Sequence, residues 1–332
     1  MPDAFALDDS ETLSAGLQRL TVGQFDRAIE LLGTGTDVDA AVHSARKSMK
    51  RLRAILRLVR SEIGDTVYRA ENGILRDTAR LMAPMRDGQV MAAAVGGLRE
   101  DFDGQLAPDA LSGLEDALWQ RHQTRRRRVL EDESVFPVVV GTLRSARARY
   151  SAWPIETAGI ATTDPYGRRP IADRYESIAP GLARTYGRGR DEMDLAAREP
   201  TPHHFHQWRK RVKYLRHQVE VLDPLWPEMM STYARTLDHL GEVLGEEHDL
   251  AVLVELLATD RSLHVDRAEL AVASVALRLC RCAGSSLVDS ECVSSPPRSP
   301  QEWFCPPGGL PTWIGTRPRR SGRAKVVRPS PP

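Results

Sequence analysis

Apolar residues recur at intervals of three and four along most of the chain, beginning with Leu13, Leu17 and Leu20 and continuing with Ile29 and Leu32. That spacing puts a greasy stripe on one side of a helix and predicts a run of amphipathic helices. Two-residue alternation, the mark of half-buried strands, is scarce. Turn-forming residues at Gly33–Gly35, Gly96–Gly97, Ala107–Pro108, Trp153–Pro154, Pro165–Gly167 and Glu199–Pro202 predict the connections. A turn-rich stretch over 150–178 divides a helical region of 10–281 into halves of about 10–150 and 170–281. The helical pattern of 264–281 then stops. Ten of the 22 prolines lie beyond Val293, so residues 282–332 form a Pro/Ser/Arg-rich tail. Its composition predicts disorder, or an aberrant end produced by a reading-frame disruption.

The chain repeats itself. His43-Ser-Ala-Arg46-Lys47-Ser-Met-Lys50-Arg51-Leu52-Arg53 returns 163 residues later as His206-Gln-Trp-Arg209-Lys210-Arg-Val-Lys213-Tyr214-Leu215-Arg216. Advancing 100° per residue gathers His43, Arg46, Lys47, Lys50 and Arg57 on one side of the first helix. Ala45, Met49, Leu52, Leu56 and Val59 fall on the other. In the second copy the apolar side is Trp208, Val212, Leu215, Val219 and Leu222. A further echo follows each basic helix at an offset of 162, Leu81-Met-Ala-Pro-Met-Arg86-Asp87-Gly-Gln-Val90 against Val243-Leu-Gly-Glu-Glu-His248-Asp249-Leu-Ala-Val252. The expected fold is all-α: two duplicated, four-helix-bundle-like halves related by a pseudo-twofold axis, with the cationic faces meeting in a basic central groove.

Charge sharpens this picture. The 332 residues carry a formal net charge of +1, yet 43–57 and 206–217 contain no acid at all. Like charges on successive helical turns repel by a few tenths of a kcal/mol per pair, a cost that a polyanion relieves. Arg offers forked donors and Lys a mobile point charge, both suited to phosphate oxygens, and a histidine adds a donor that charges as phosphate approaches. Arg184, Arg188 and Arg190, just before the second basic helix, are secondary candidates. The run Arg125–Arg128 is followed by Glu131, Asp132 and Glu133 and reads as a solvated face. Arg211 lies outside the sector, its counterpart being Ser48.

The paired His-x-x-basic-basic-x-x-Lys helices, each followed by the (Arg/His)-Asp-x-x-Val element, resemble the CHAD domain, the conserved histidine α-helical domain, over about residues 10–280. The resemblance implies two helical bundles about a basic channel that binds inorganic polyphosphate without catalysis. The contacts it implies are His43, Arg46, Lys47, Lys50, Arg53 and Arg57 with His206, Arg209, Lys210, Lys213 and Arg216. Targeting to polyphosphate granules is the expected consequence. No strand-rich Glu-x-Glu-x-Lys segment of the CYTH type occupies the first 40 residues, so the stand-alone form is expected.

Two other readings use the same residues. A nucleic-acid module would need aromatics interleaved with the cations, whereas Tyr214 reads as a flanking residue and Trp208 as apolar-side. A metal-dependent polyphosphate hydrolase would need Asp87 or Asp249 to hold a metal, and each reads instead as a structural partner for neighbouring cations. His203, His204 and His206 form a small cluster, but two of them precede the basic helix, so no metal or cofactor is expected. Gly33 and Gly35 read as a loop, and no Walker loop or nucleophile elbow occurs. The four cysteines, Cys280, Cys282, Cys292 and Cys305, have no zinc-site spacing. With no run of 18 apolar residues and an acidic N-terminus, a cytoplasmic protein without a membrane partner is expected. The oligomeric state is left open.

Overall fold

A computed structural model describes residues 5–34, 37–101, 111–132, 135–155 and 168–260, with the side chains of Arg86, Asp87, Asp101 and Asp132 excepted. The tail over 282–332, the closing helix expected over 264–281 and the cysteines therefore lie outside the described residues, as does the side chain of Asp87. Within them the fold is all-helical: α1 Leu13–Thr34, α2 Val38–Leu58, α3 Arg60–Leu81, α4 Ala83–Asp101, α5 Ser112–Arg127, α6 Val135–Ser151, α7 Ala179–Arg198, α8 Pro202–Val221 and α9 Pro227–Thr259. A π turn over Arg128–Asp132 leaves α5, and short 3-10 turns at Tyr175–Ser177 and Asp223–Leu225 lead into α7 and α9. No strand occurs among the described residues.

The two basic helices start where their caps dictate. Asp37 accepts a hydrogen bond from the Ala40 amide at 3.0 Å to open α2, and Thr201 accepts from the His204 amide at 3.3 Å to open α8, with Pro202 as its first residue. α3 bends at Gly64, whose φ of 77° is open to glycine but strained for other residues. Gly96 and Gly97 depart from expectation: they lie inside α4, where the neighbouring Val95 and Leu98 are buried against Leu114 and Leu118 of α5. Burial of that apolar stripe outweighs the low helix propensity of two glycines, about 1 kcal/mol each.

Three cores hold the helices. Phe25, Ala28 and Leu32 of α1 pack with Met49, Leu52 and Leu56 of α2, Leu75 of α3 and Val139 and Leu143 of α6. The other end of α1, through Leu13, Leu17 and Leu20, joins Trp208, Val212, Leu215 and Val219 of α8 with Leu182 of α7 and Leu237 of α9. α1 thus ties the first helices to the later ones. The third core joins α4 and α5 to Leu253 near the end of α9.

Both apolar stripes expected from the repeat are buried as predicted. Shifted by 163 residues, α2 falls on 201–221, the span of α8, and α1 falls on 176–197, overlapping α7. α1 packs on α2 as α7 packs on α8. The counterparts of α5 and α6 under the same shift fall beyond residue 260.

Candidate functional site

α2 and α8 cross through their C-terminal halves, where each has a residual surface left after its apolar stripe is buried. Gln218 Nε2 donates to the Ala54 carbonyl at 3.2 Å, the Arg57 guanidinium lies 3.8 Å over the Tyr214 ring, and Arg51 is 3.8 Å from Glu220. Numbers rise along one helix as they fall along the other, so the two run antiparallel. Arg57 and Glu220 are 163 residues apart, and so are Arg51 and Tyr214. The Arg57–Tyr214 and Glu220–Arg51 contacts are therefore the same contact made twice, with different side chains. α7 closes against α2 at Gly181, which sits on the carbonyl of Leu58.

Three arginines of α2 donate to neutral acceptors. Arg46 donates to the Ala79 carbonyl at 2.7 Å, and Arg53 Nε to Asn72 Oδ1 at 3.0 Å. Arg57 donates to the Arg53 carbonyl at 2.8 Å and to Asn72 Oδ1 at 3.2 Å. Its burial holds its pKa below the ordinary guanidinium value. His43, Lys47 and Lys50 are exposed on the same helix. Lys47 is pushed below the usual ammonium range by desolvation, then by Arg51 and by Arg216 across the crossing.

On α8, Lys210 is lowered by desolvation, then by Arg211, with Arg53 and Arg57 of α2 within electrostatic reach. Arg209 is lowered by burial, against the pull of Asp249 and Glu247 on α9. Two glycines of α9 make room for these long side chains: a Cβ on Gly245 would stand 3.1 Å from Arg209 Nη2, and one on Gly241 3.8 Å from the Lys213 stem. Desolvation and Arg209 bring Lys213 down to about 8.

The His206 ring lies against His248, centroids 4.2 Å apart and tilted by 39°. Burial and then His248, Lys210 and Arg209 lower His206 to about 4; burial, Arg209 and Lys213 lower His248 to about 4. Both imidazoles are neutral at pH 7. A histidine whose folded pKa lies below its ordinary 6.5 binds its proton more readily when unfolded. Stability is therefore full above pH 6.5 and is lost as pH falls toward 4. A falling denaturant midpoint between pH 7 and 4.5, flattened in a His206→Gln/His248→Gln variant, is the expected result.

A family model for the CHAD domain matches residues 19–258. The chain belongs to the CHAD domain family. A crystal structure of the CHAD domain from the plant Ricinus communis has a similar fold, with a TM-score of 0.54 and 18% identity over 86% of this chain and 89% of that chain. At that identity the likeness carries the fold alone. A comparison with curated protein sequences gives no match.

In this CHAD domain the acid-free windows of the sequence are not acid-free in space. Glu220 accepts from Arg216 Nε at 3.0 Å and contacts His217 Nδ1 at 2.8 Å, and Asp238 of α9 pairs with Arg216 Nη1. Arg211, left out of the basic sector, faces Glu192 of α7 at 3.5 Å. Glu220 stands one turn beyond Arg216, a spacing readable in the sequence; Asp238 arrives only through the packing of α9 on α8. Tyr214 is not a flanking bystander, since it is buried with Arg57 over its face and Arg53 5.7 Å away. His248 was signalled by the second echo, as the counterpart of Arg86.

Of the secondary candidates, Arg184 faces α3, where its charge helps Arg60 and Arg69 hold Asp65 below the usual carboxylate range. Arg188 is exposed and Arg190 half-buried further along α7. The Arg125–Arg128 run makes a tertiary contact, Arg126 standing 3.8 Å from Asp39 of α2. Among the described residues no three His, Cys, Asp or Glu side chains gather as a metal site, and no helix is long and apolar enough to cross a membrane.

Proposed function

We propose that this CHAD domain binds inorganic polyphosphate, without catalysis, through the cations of α2 and α8, and that this binding targets it to polyphosphate granules. The observation that carries the reading is the antiparallel crossing, which sets Arg53 and Arg57 within electrostatic reach of Lys210. The charges of Arg57 and Lys210 are disfavoured in the free protein, and a chain of phosphates removes the repulsion while supplying acceptors to forked and ammonium donors. Asp249 faces Arg209 and Lys213, the place of a carboxylate that orients cations. The covered face of Tyr214 is spent on Arg57, which removes the aromatic a nucleobase would stack on.

Titration with long-chain polyphosphate, with tripolyphosphate and single-stranded DNA as competitors, tests the reading. Binding through about four phosphates should weaken by roughly 50-fold between 50 and 200 mM salt, on the slope known for single-stranded polyanions. The short phosphate should compete poorly. Equal binding of DNA, or affinity indifferent to salt, would sink the proposal.

A further inference from the structure

The two ends of the α2–α8 crossing are equivalent by the 163-residue offset and both are rich in cations, but at one equivalent position the charge changes sign, Arg57 at one end and Glu220 at the other. At one end Lys210 has Arg53, Arg57 and Arg211 around it, with Glu192 the carboxylate within reach. At the other end Lys47 has Arg51 and Arg216 around it, and there the position equivalent to Arg57 is Glu220. Glu220 is not a loose surface acid. It is bound to Arg216 at 3.0 Å and to His217 at 2.8 Å and lies 3.8 Å from Arg51.

Asp238 adds a second carboxylate on Arg216. Its approximate counterpart in the first half, Asp77, is taken up by Arg76 at 2.8 Å and Arg80 at 3.5 Å, with Arg53 only a weaker, longer-range influence on it. Arg53 itself is held by the neutral Asn72.

Resting on the polyphosphate reading, we propose that the groove is one-armed: Glu220 is a built-in anion that fills the Lys47 end, so that phosphates enter the Lys210 end and stop at the crossing. A carboxylate hydrogen-bonded to one guanidinium and ion-paired with a second occupies the role a phosphate oxygen would take there. An incoming phosphate would have to displace it and would meet its negative charge. At the Arg57 end the equivalent position carries a cation, Arg53 and Arg57 are held by the neutral Asn72, and the carboxylate in reach, Glu192, lies on α7 against Arg211 rather than between the two helices. A twofold scaffold is thereby turned into a directional track.

The test compares Lys47→Ala, Lys210→Ala and Glu220→Gln with the unaltered chain in polyphosphate titrations at several salt concentrations. Lys210→Ala should weaken binding roughly tenfold, the loss of one charge-assisted contact, and Lys47→Ala should cost clearly less, because Glu220 already occupies its end of the groove. Glu220→Gln should bind more tightly, with a salt slope steeper by about 0.7 for each added phosphate contact. Equal losses from the two lysine variants overturn the one-armed groove, and so does a Glu220→Gln protein with unchanged affinity and slope. If Glu220→Gln does not fold, the two lysine variants, both altered at the surface of the groove, decide alone. An unaltered chain that binds no polyphosphate overturns the function itself, an outcome separate from equal losses.

Discussion

Gly181→Ala is expected to lower the melting temperature by roughly 6–12 °C, the fall that ~3 kcal/mol produces in a chain of this size class. A Cβ at this position would stand 1.9 Å from the Leu58 carbonyl oxygen, 2.5 Å from its carbon and 2.6 Å from the Arg57 oxygen. All three atoms are backbone, so no rotamer change can make space and α7 must move off the end of α2. That end of α2 carries Leu58 and Val59, both buried in the core shared with Leu182 of α7. Gly187, on the same helix with nothing within 4 Å of its would-be Cβ, is the control. There alanine should stabilise by about 0.5–1 kcal/mol through helix propensity. Thermal denaturation of the two single variants separates close approach from propensity.

The second large effect pairs a loss with a gain. Replacing Lys210 and Lys213 with methionine keeps the methylene stems that pack along the helices while removing two charges that the fold disfavours. Lys213, held near 8 against an ordinary 10.5, binds its proton less readily folded than unfolded. Its charged form therefore works against stability below about pH 8. The double variant should melt higher than the unaltered chain at pH 7 and bind polyphosphate on the order of 100-fold more weakly, at about tenfold per charge-assisted contact. A lower melting temperature would show that the lysines serve packing. Retained affinity would show that the phosphate track lies elsewhere.

Much of the fold is legible in the sequence, for identifiable reasons. Met49, Leu52 and Leu56, like Val212, Leu215 and Val219, recur at helical spacing and end in the cores, because burial of a stripe is a local decision repeated every turn. The repeat made the two basic helices equivalent, and the crossing respects that equivalence. What could not be read depends on atoms far apart in the chain. Asp238 reaches Arg216 through the register of α9 on α8, and no pattern within either segment encodes that register. Tyr214 looked peripheral on a helical wheel, yet an adjacent helix turned the flank into an interior. Gly96 and Gly97 signalled a break by propensity, and α5 overrode it by covering the stripe on either side of them.

The Gln218–Ala54 hydrogen bond joins residues 164 apart, and this separation bears on how the chain comes to be folded. Loop-closure entropy must be met before such a contact repays it, and distant pairings slow the search. During synthesis α2 emerges with its cationic side uncovered long before α8 exists to cross it. Any ligand that needs both helices therefore recognises the chain only once α8 has been made and has packed on α2. Polyphosphate at a hundred times its dissociation constant would then add about 2.7 kcal/mol to the native state alone. The anion would act on the folding equilibrium as a brace, placed across a junction between distant parts of the chain.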